Sequence, residues 1–288
     1  MFGIIILFSN VLADTFNALM QRYFAKTFSK HKFSAYLLVN IFFFYPVGVL
    51  YSVIHRDKVN FAPILQNDWH LLLLIGLTAG ITYRYTMVVN EKIEASTQQI
   101  IGTLRTVGIL AIAALFLAER LTPSQYIGAF ILILSSILYV QTKRLDKNKS
   151  YIILQVVITL LFCACLVTEK YLISKYGIAT YLPLGWGMEV LFLSILSSGV
   201  AIKEVRKNRY TKATLKALIM MGVFDACASL TYVLSINAWQ SVSLVNTVRI
   251  IQAPLTVFLA IFILREKDQW GRKTIAITVA SIGLWLIL

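Results

Sequence analysis

Apolar runs of about twenty residues follow one another along this chain with only short polar breaks between them. A helix of that length crosses ~30 Å of hydrocarbon at ~1.5 Å per residue. Ten runs are placed at roughly 2–22, 33–54, 70–90, 97–118, 124–141, 151–171, 181–202, 214–236, 242–264 and 270–288. The breaks are too short to hold a soluble domain. Of 288 residues, 58% are hydrophobic and 14% charged, whereas soluble domains are about half apolar and a quarter charged. The expected fold class is therefore an all-α membrane protein with ten transmembrane helices.

The net charge of +14 does not imply a nucleic-acid partner. Its basic residues sit mostly in breaks such as KTFSKHK, QTKRLDKNK and KEVRKNRYTK, where they set topology and meet anionic lipid headgroups. Cys163, Cys165 and Cys227 all fall inside apolar runs, so no disulfide framework is indicated. His31, His55 and His70 lie in breaks or at a run's end, and no HExxH, CxxC or Gly-x-Ser-x-Gly pattern occurs. An enzyme, a metal site and a cofactor are accordingly not expected. MFGIIILFSNVLAD has no basic leader and runs on into Asp14 and Asn17, so no cleaved signal peptide is expected.

The chain repeats its punctuation. Leu115–Leu138 reads LFLAERLTPSQYIGAFILILSSIL and Ile261–Leu284 reads IFILREKDQWGRKTIAITVASIGL. A shift of 147 residues places Tyr85 on Tyr232, Asn90 on Asn237, Ser96 on Ser243 and Glu119 on Glu266. This predicts two five-span halves, 1–145 and 146–288. Five is odd, so the second half enters the membrane from the opposite side. The alternation of Lys- and Arg-rich breaks changes phase between the halves in the same way, and positive-inside counting places both termini outside. Such inverted repeats enclose substrate sites near the bilayer midplane in many secondary transporters.

Within the repeated break, Thr122, Pro123 and Gln125 suit the start of a helix. Glu119 and Glu266 oppose a helix dipole and need partners, with Arg120 and Lys267 adjacent. A structural clasp and a gate are both open for these four.

Inside the runs stand Asp14, Arg84, Arg105, Glu189, Asp225 and Arg249, each costing ~2.5–3.5 kcal/mol near the midplane on insertion scales. Mutual ion pairing and ligand binding both remain open for them. Spacing points to shared faces: Asn10, Asp14, Asn17 and Gln21; Asp225, Ser229 and Tyr232; Asn246, Arg249, Ala253 and Thr256; Gln98, Gly102 and Arg105; Thr78, Thr82 and Tyr85. Lipid rejects such stripes, so they are expected to converge on a pocket. Tyr83, Tyr85, Trp186 and Tyr232 are read either as interface belt or core packing or as an aromatic wall for a substrate's apolar part, Gly76-x-x-x-Gly80 permits a close helix contact, and Pro254 predicts a kink. The candidate substrate-binding set is Asn10, Asp14, Asn17, Arg84, Tyr85, Arg105, Trp186, Glu189, Asp225, Tyr232, Asn246 and Arg249. In it the arginines would hold a carboxylate, and Asp14, Glu189 or Asp225 an amine or a coupling proton.

LAERLTPSQYIGA closing the first half and LREKDQWGRK in the second resemble the EamA-type transporters of the drug/metabolite transporter superfamily. Ala118 and Arg265 stand where that family usually has Gly. The resemblance implies export or exchange of small metabolites such as amino acids, through a central cavity with the fifth and tenth helices outside it. A bacterial cytoplasmic (inner) membrane protein is expected, monomeric or homodimeric, with a lipid flippase on the same scaffold as the alternative.

Overall fold

A computed structural model describes residues 2–287 apart from 103, 117–121, 125, 129, 132, 133, 135–148 and 266–269. Among the described residues there is no strand. The chain forms α1 (Phe2–Thr27), α2 (Lys32–Val39), a π-helical turn at Asn40–Phe44, α3 (Tyr45–Ile54) and the short α4 (Ala62–Asn67). It continues with α5 (Trp69–Lys92), α6 (Ala95–Gly102), α7 (Leu104–Phe116), α8 (Lys149–Tyr176), α9 (Ile178–Lys207) and α10 (Lys212–Trp239). Last come α11 (Val242–Val248), a 3-10 turn at Arg249–Ile251, α12 (Gln252–Ile263) and α13 (Trp270–Ile287).

Gly3–Thr27, Ser29–Ile54, Trp69–Lys92, Lys149–Tyr176, Ile178–Lys207 and Lys212–Trp239 are six helical segments long and apolar enough to cross a membrane. They coincide with the first, second, third, sixth, seventh and eighth expected spans. The protein is an integral, multi-pass, all-helical membrane protein. Most of the fifth expected span lies outside the described residues, as do Glu119, Arg120, Glu266 and Lys267.

Local chemistry sets the joints. One residue, Gly177, separates α8 from α9 with φ +81°, a conformation that a Cβ resists. Thr211 begins α10, and its hydroxyl accepts from the Thr214 N–H at 3.2 Å, a side-chain N-cap. Pro183 lies inside α9 and has no N–H for the Ala179 carbonyl. The Ser52 hydroxyl supplies the missing donor at 2.7 Å, so an interhelical bond repairs the ladder. The ninth apolar run passes from a 3-10 turn at Arg249–Ile251 to an α-helix at Gln252–Ile263 two residues before Pro254. The N–H that Pro254 lacks would have reached residue 250, inside that turn.

α1 packs along α10, α5 along α9, and α8 along α5 and α7. Added Cβ atoms would lie 2.7 Å from Phe192 at Gly76 and 2.9 Å from it at Gly80, so α5 meets α9 backbone to backbone, as the small-residue spacing permits. Beside that seam Trp186 stacks on Phe44 at 4.1 Å. A Cβ on Gly48 would come within 2.7 Å of the same indole. Phe44, Ile75, Ala79, Leu172, Tyr181, Leu182 and Trp186 form the core there.

Two polar ties join helices far apart in the chain. At one, Asp68 Oδ2 accepts from Lys175 Nζ at 2.7 Å and from the Tyr176 hydroxyl at 2.6 Å. At the other, Glu204 Oε2 accepts from the Ser34 N–H at 2.8 Å and the Ser34 hydroxyl at 3.0 Å. Lys175 and then Tyr176, by hydrogen bonding, hold the Asp68 carboxyl below the usual carboxylate range.

Two tests follow from this packing. Gly80→Leu forces a side chain into Phe192 and should destabilise the protein by about 1–3 kcal/mol. Gly199→Ala, where a Cβ meets nothing within 4 Å, should be neutral in the same thermal-unfolding assay. A group whose folded-state proton affinity is depressed stabilises above its unfolded pKa, and that stability is lost as pH falls through the folded value. Asp68→Asn should therefore lower the melting temperature at neutral pH, and the gap from wild type should close below about pH 4.

Candidate functional site

A cavity of about 220 Å³ lies where α1, α5, α6, α7, α8, α10 and the 3-10 turn meet. The polar stripe of α1 reaches it through Asp14, Asn17 and Gln21, and that of α10 through Asp225, Ser229 and Tyr232. Thr82, Tyr83, Thr86 and Asn90 face it from α5, and Gln98, Gly102 and Arg105 from α6 and α7. Apolar Ile158, Phe162 and Leu166 close the α8 side beside Gln155 and Thr159.

The wall has two poles. At one, Asp225 Oδ1 accepts from Asn17 Nδ2 at 2.7 Å and from Gln21 Nε2 at 3.5 Å. Asn90 Nδ2 donates to Gln21 Oε1 at 3.2 Å, which fixes the amide that faces the acid. At the other pole Arg249 is ion-paired with Asp14 and lies 4.5 Å above the Tyr232 ring. Asn246 Nδ2 donates to the Tyr232 hydroxyl at 2.9 Å, and Arg249 donates to Asn246 Oδ1 at 3.4 Å. The ring face and the carboxylate together offset the cost of a buried guanidinium. The Arg249 Nε and the neighbouring Gln252 Oε1 are buried with no hydrogen-bond partner among the described residues.

Arg105 differs from Arg249. It lines the cavity, and its guanidinium makes no hydrogen bond to any described residue. Five donors facing a low-dielectric space are a recognition element for an anion, and a carboxylate fits the fork.

The structure brings six members of the candidate set to the cavity: Asp14, Asn17, Arg105, Asp225, Tyr232 and Arg249. Asn10 and Asn246 stand behind it. Asn10 Nδ2 donates to the Ala228 carbonyl at 2.6 Å, tying α1 to α10. Four members are placed away from it. Arg84 turns to the Leu196 carbonyl on α9, because a long stem lets guanidinium reach a backbone acceptor. Tyr85 is 38% exposed on the outer surface. Trp186 is enclosed in the core against Phe44. Glu189 lies behind Tyr83, whose hydroxyl donates to its Oε2 at 2.8 Å.

Gln252, Tyr36 and the Gln155–Thr159 pair were not among the candidates, yet all line the cavity. Gln155 Nε2 donates to Thr159 Oγ1 at 3.1 Å. Two polar residues four apart in an otherwise apolar run were a usable signal. Among the described residues no three His, Cys, Asp or Glu side chains converge to hold a metal.

Breaking one side of a buried pair leaves the other charge uncompensated. Arg249→Ala should cost about 3–5 kcal/mol. Asp14→Asn combined with Arg249→Gln should cost clearly less than the sum of the single changes in a double-mutant cycle of thermal or denaturant unfolding.

No curated protein matches the chain. Residues 1–141 match the model of the EamA-like transporter family. The matched segment contains the α1 stripe, the cavity face of α5, and Arg105. Over these residues the chain matches the EamA-like transporter family, which lies within the drug/metabolite transporter superfamily.

Proposed function

We propose that this protein is a secondary transporter, an exporter or exchanger, of small polar or zwitterionic metabolites such as amino acids. It acts by alternating access about the cavity, in the bacterial cytoplasmic membrane. Its architecture on this reading is ten spans in two inverted repeats, 1–145 and 146–288. The packing supports that reading: α1 lies on α10 and α8 lies on α5, contacts that two-fold-related halves would make in pairs.

Arg105 carries the substrate class. A guanidinium in a buried cavity without a protein partner is completed by an anionic ligand. The opposite pole, Asp225 with its amides, accepts a cationic group. The cavity is smaller than the ~300–1,000 Å³ of drug-sized pockets, which favours small metabolites.

Thermal stabilisation of the purified protein by amino acids, organic acids, nucleosides and lipids tests this. Carboxylated amino acids should raise the melting temperature and their amides should not. Arg105→Ala should weaken the effect by about tenfold or more, since a hydrogen bond to a charged group is worth ~1.5–3 kcal/mol. Stabilisation by lipid headgroups alone would move the assignment to a flippase.

A further inference from the structure

A second group of titratable side chains lies behind the cavity wall, and substrate binding as described does not use it. Glu189 of α9 is 3% exposed, and the Tyr83 hydroxyl donates to it at 2.8 Å. Tyr83 itself lines the cavity, so the phenol stands between the cavity and this carboxyl. The charged groups that face Glu189 are Glu169 of α8 and, on α10, Asp225. No cation faces it among the described residues. Arg249 reaches Glu169 electrostatically but is ion-paired with Asp14. The Tyr181 hydroxyl, fully buried, lies close to the Glu169 carboxyl without closing a hydrogen bond to it. Tyr36 of α2 stands edge-on to Tyr83 at 5.8 Å, and Cys165 of α8 faces the same ring.

A carboxyl enclosed in hydrocarbon with no cation bonded to it is held at lower cost with a proton bound. Glu189 has one hydrogen-bond partner, the Tyr83 phenol, and Glu169 adds a second acid whose negative charge would disfavour that of Glu189. Asp14 has a cation and Asp225 has two amides, so neither shares this arrangement.

We propose that Glu189, with Glu169 as its partner, is a proton-binding site that couples transport to a pH gradient, loaded and emptied from the cavity through Tyr83. This rests on the transporter reading above. In loading, a hydronium in the cavity gives a proton to the Tyr83 oxygen as the hydrogen already on Tyr83 passes to the Glu189 carboxylate. Water, an unchanged phenol and a neutral Glu189 remain. Unloading is the reverse, with the cavity open to the other side.

The test uses the full-length protein in proteoliposomes with a mixture of radiolabelled amino acids. Counterflow at equal pH on both sides reads transport alone, and accumulation under an imposed pH gradient reads coupling. Wild type should show both. Glu189→Gln keeps an acceptor for the Tyr83 hydroxyl; it should retain counterflow and lose gradient-driven accumulation. Glu169→Gln should move the pH at which gradient drive is half-maximal, which a packing role would leave unchanged. Wild-type counterflow that ignores the gradient overturns the coupling and leaves the transporter reading standing. Undiminished gradient drive in Glu189→Gln overturns it too. Absence of counterflow in wild type removes both readings together. If Glu189→Gln loses counterflow, the pH profile of Glu169→Gln decides, and a profile superimposable on wild type overturns the proposal.

Discussion

Asp14 and Arg249 are 235 positions apart in the chain and form one ion pair beside the cavity. Neither charge is tolerable in hydrocarbon alone, and each becomes so only when α1 and the 3-10 turn are both in place. The tie between the first span and the ninth run is therefore a condition of burying either. The pair also takes up one of the two cavity arginines. Arg105 is left as the cation facing the cavity without a hydrogen bond to any described residue, and the polarity of the site follows from that division. The same reasoning sets Asp225 apart from Asp14. It sits at the far end of the α1 stripe, where amides rather than a cation hold it.

The stripes on α1 and α10 were legible because polar residues three or four apart on a helix cannot all face lipid, and each stripe does turn inward against the other. The burial of Gly76 and Gly80 was legible for a similar reason. Arg84 was not, because its stem reaches a backbone carbonyl from a face that spacing alone does not fix. Nearness to charge leaves Trp186 open between core packing and cavity wall. Its true seat depends on Gly48 and Phe44, which approach it only in three dimensions. Gln252 escaped for a geometric reason. An α-helical stripe from Arg249 continues to Ala253, but a 3-10 turn has three residues per turn and brings Gln252 under Arg249. The 3-10 turn ahead of Pro254 thus shifts the stripe that α-helical spacing predicts across it.

Membrane helices lose backbone bonds at prolines, and this protein shows how a neighbour can supply them. Ser52 donates to the carbonyl that Pro183 leaves open, so the irregularity in α9 is satisfied by α3 rather than by water. Repair of this kind makes the two helices interdependent. It also explains why a hydroxyl in an otherwise apolar run need not belong to a site.

The π-helical turn at Asn40–Phe44 has a related consequence. A π turn holds one residue more than the α-helical turn it replaces. One residue fewer would restore a regular rod but rotate everything beyond it by roughly 100°. Gly48 would leave Trp186, and Ser52 would leave the carbonyl on α9. The second span is therefore fixed in length to the single residue. A hydropathy profile, indifferent to such a deletion, would score the shortened helix as an equally good crossing while its partners no longer met.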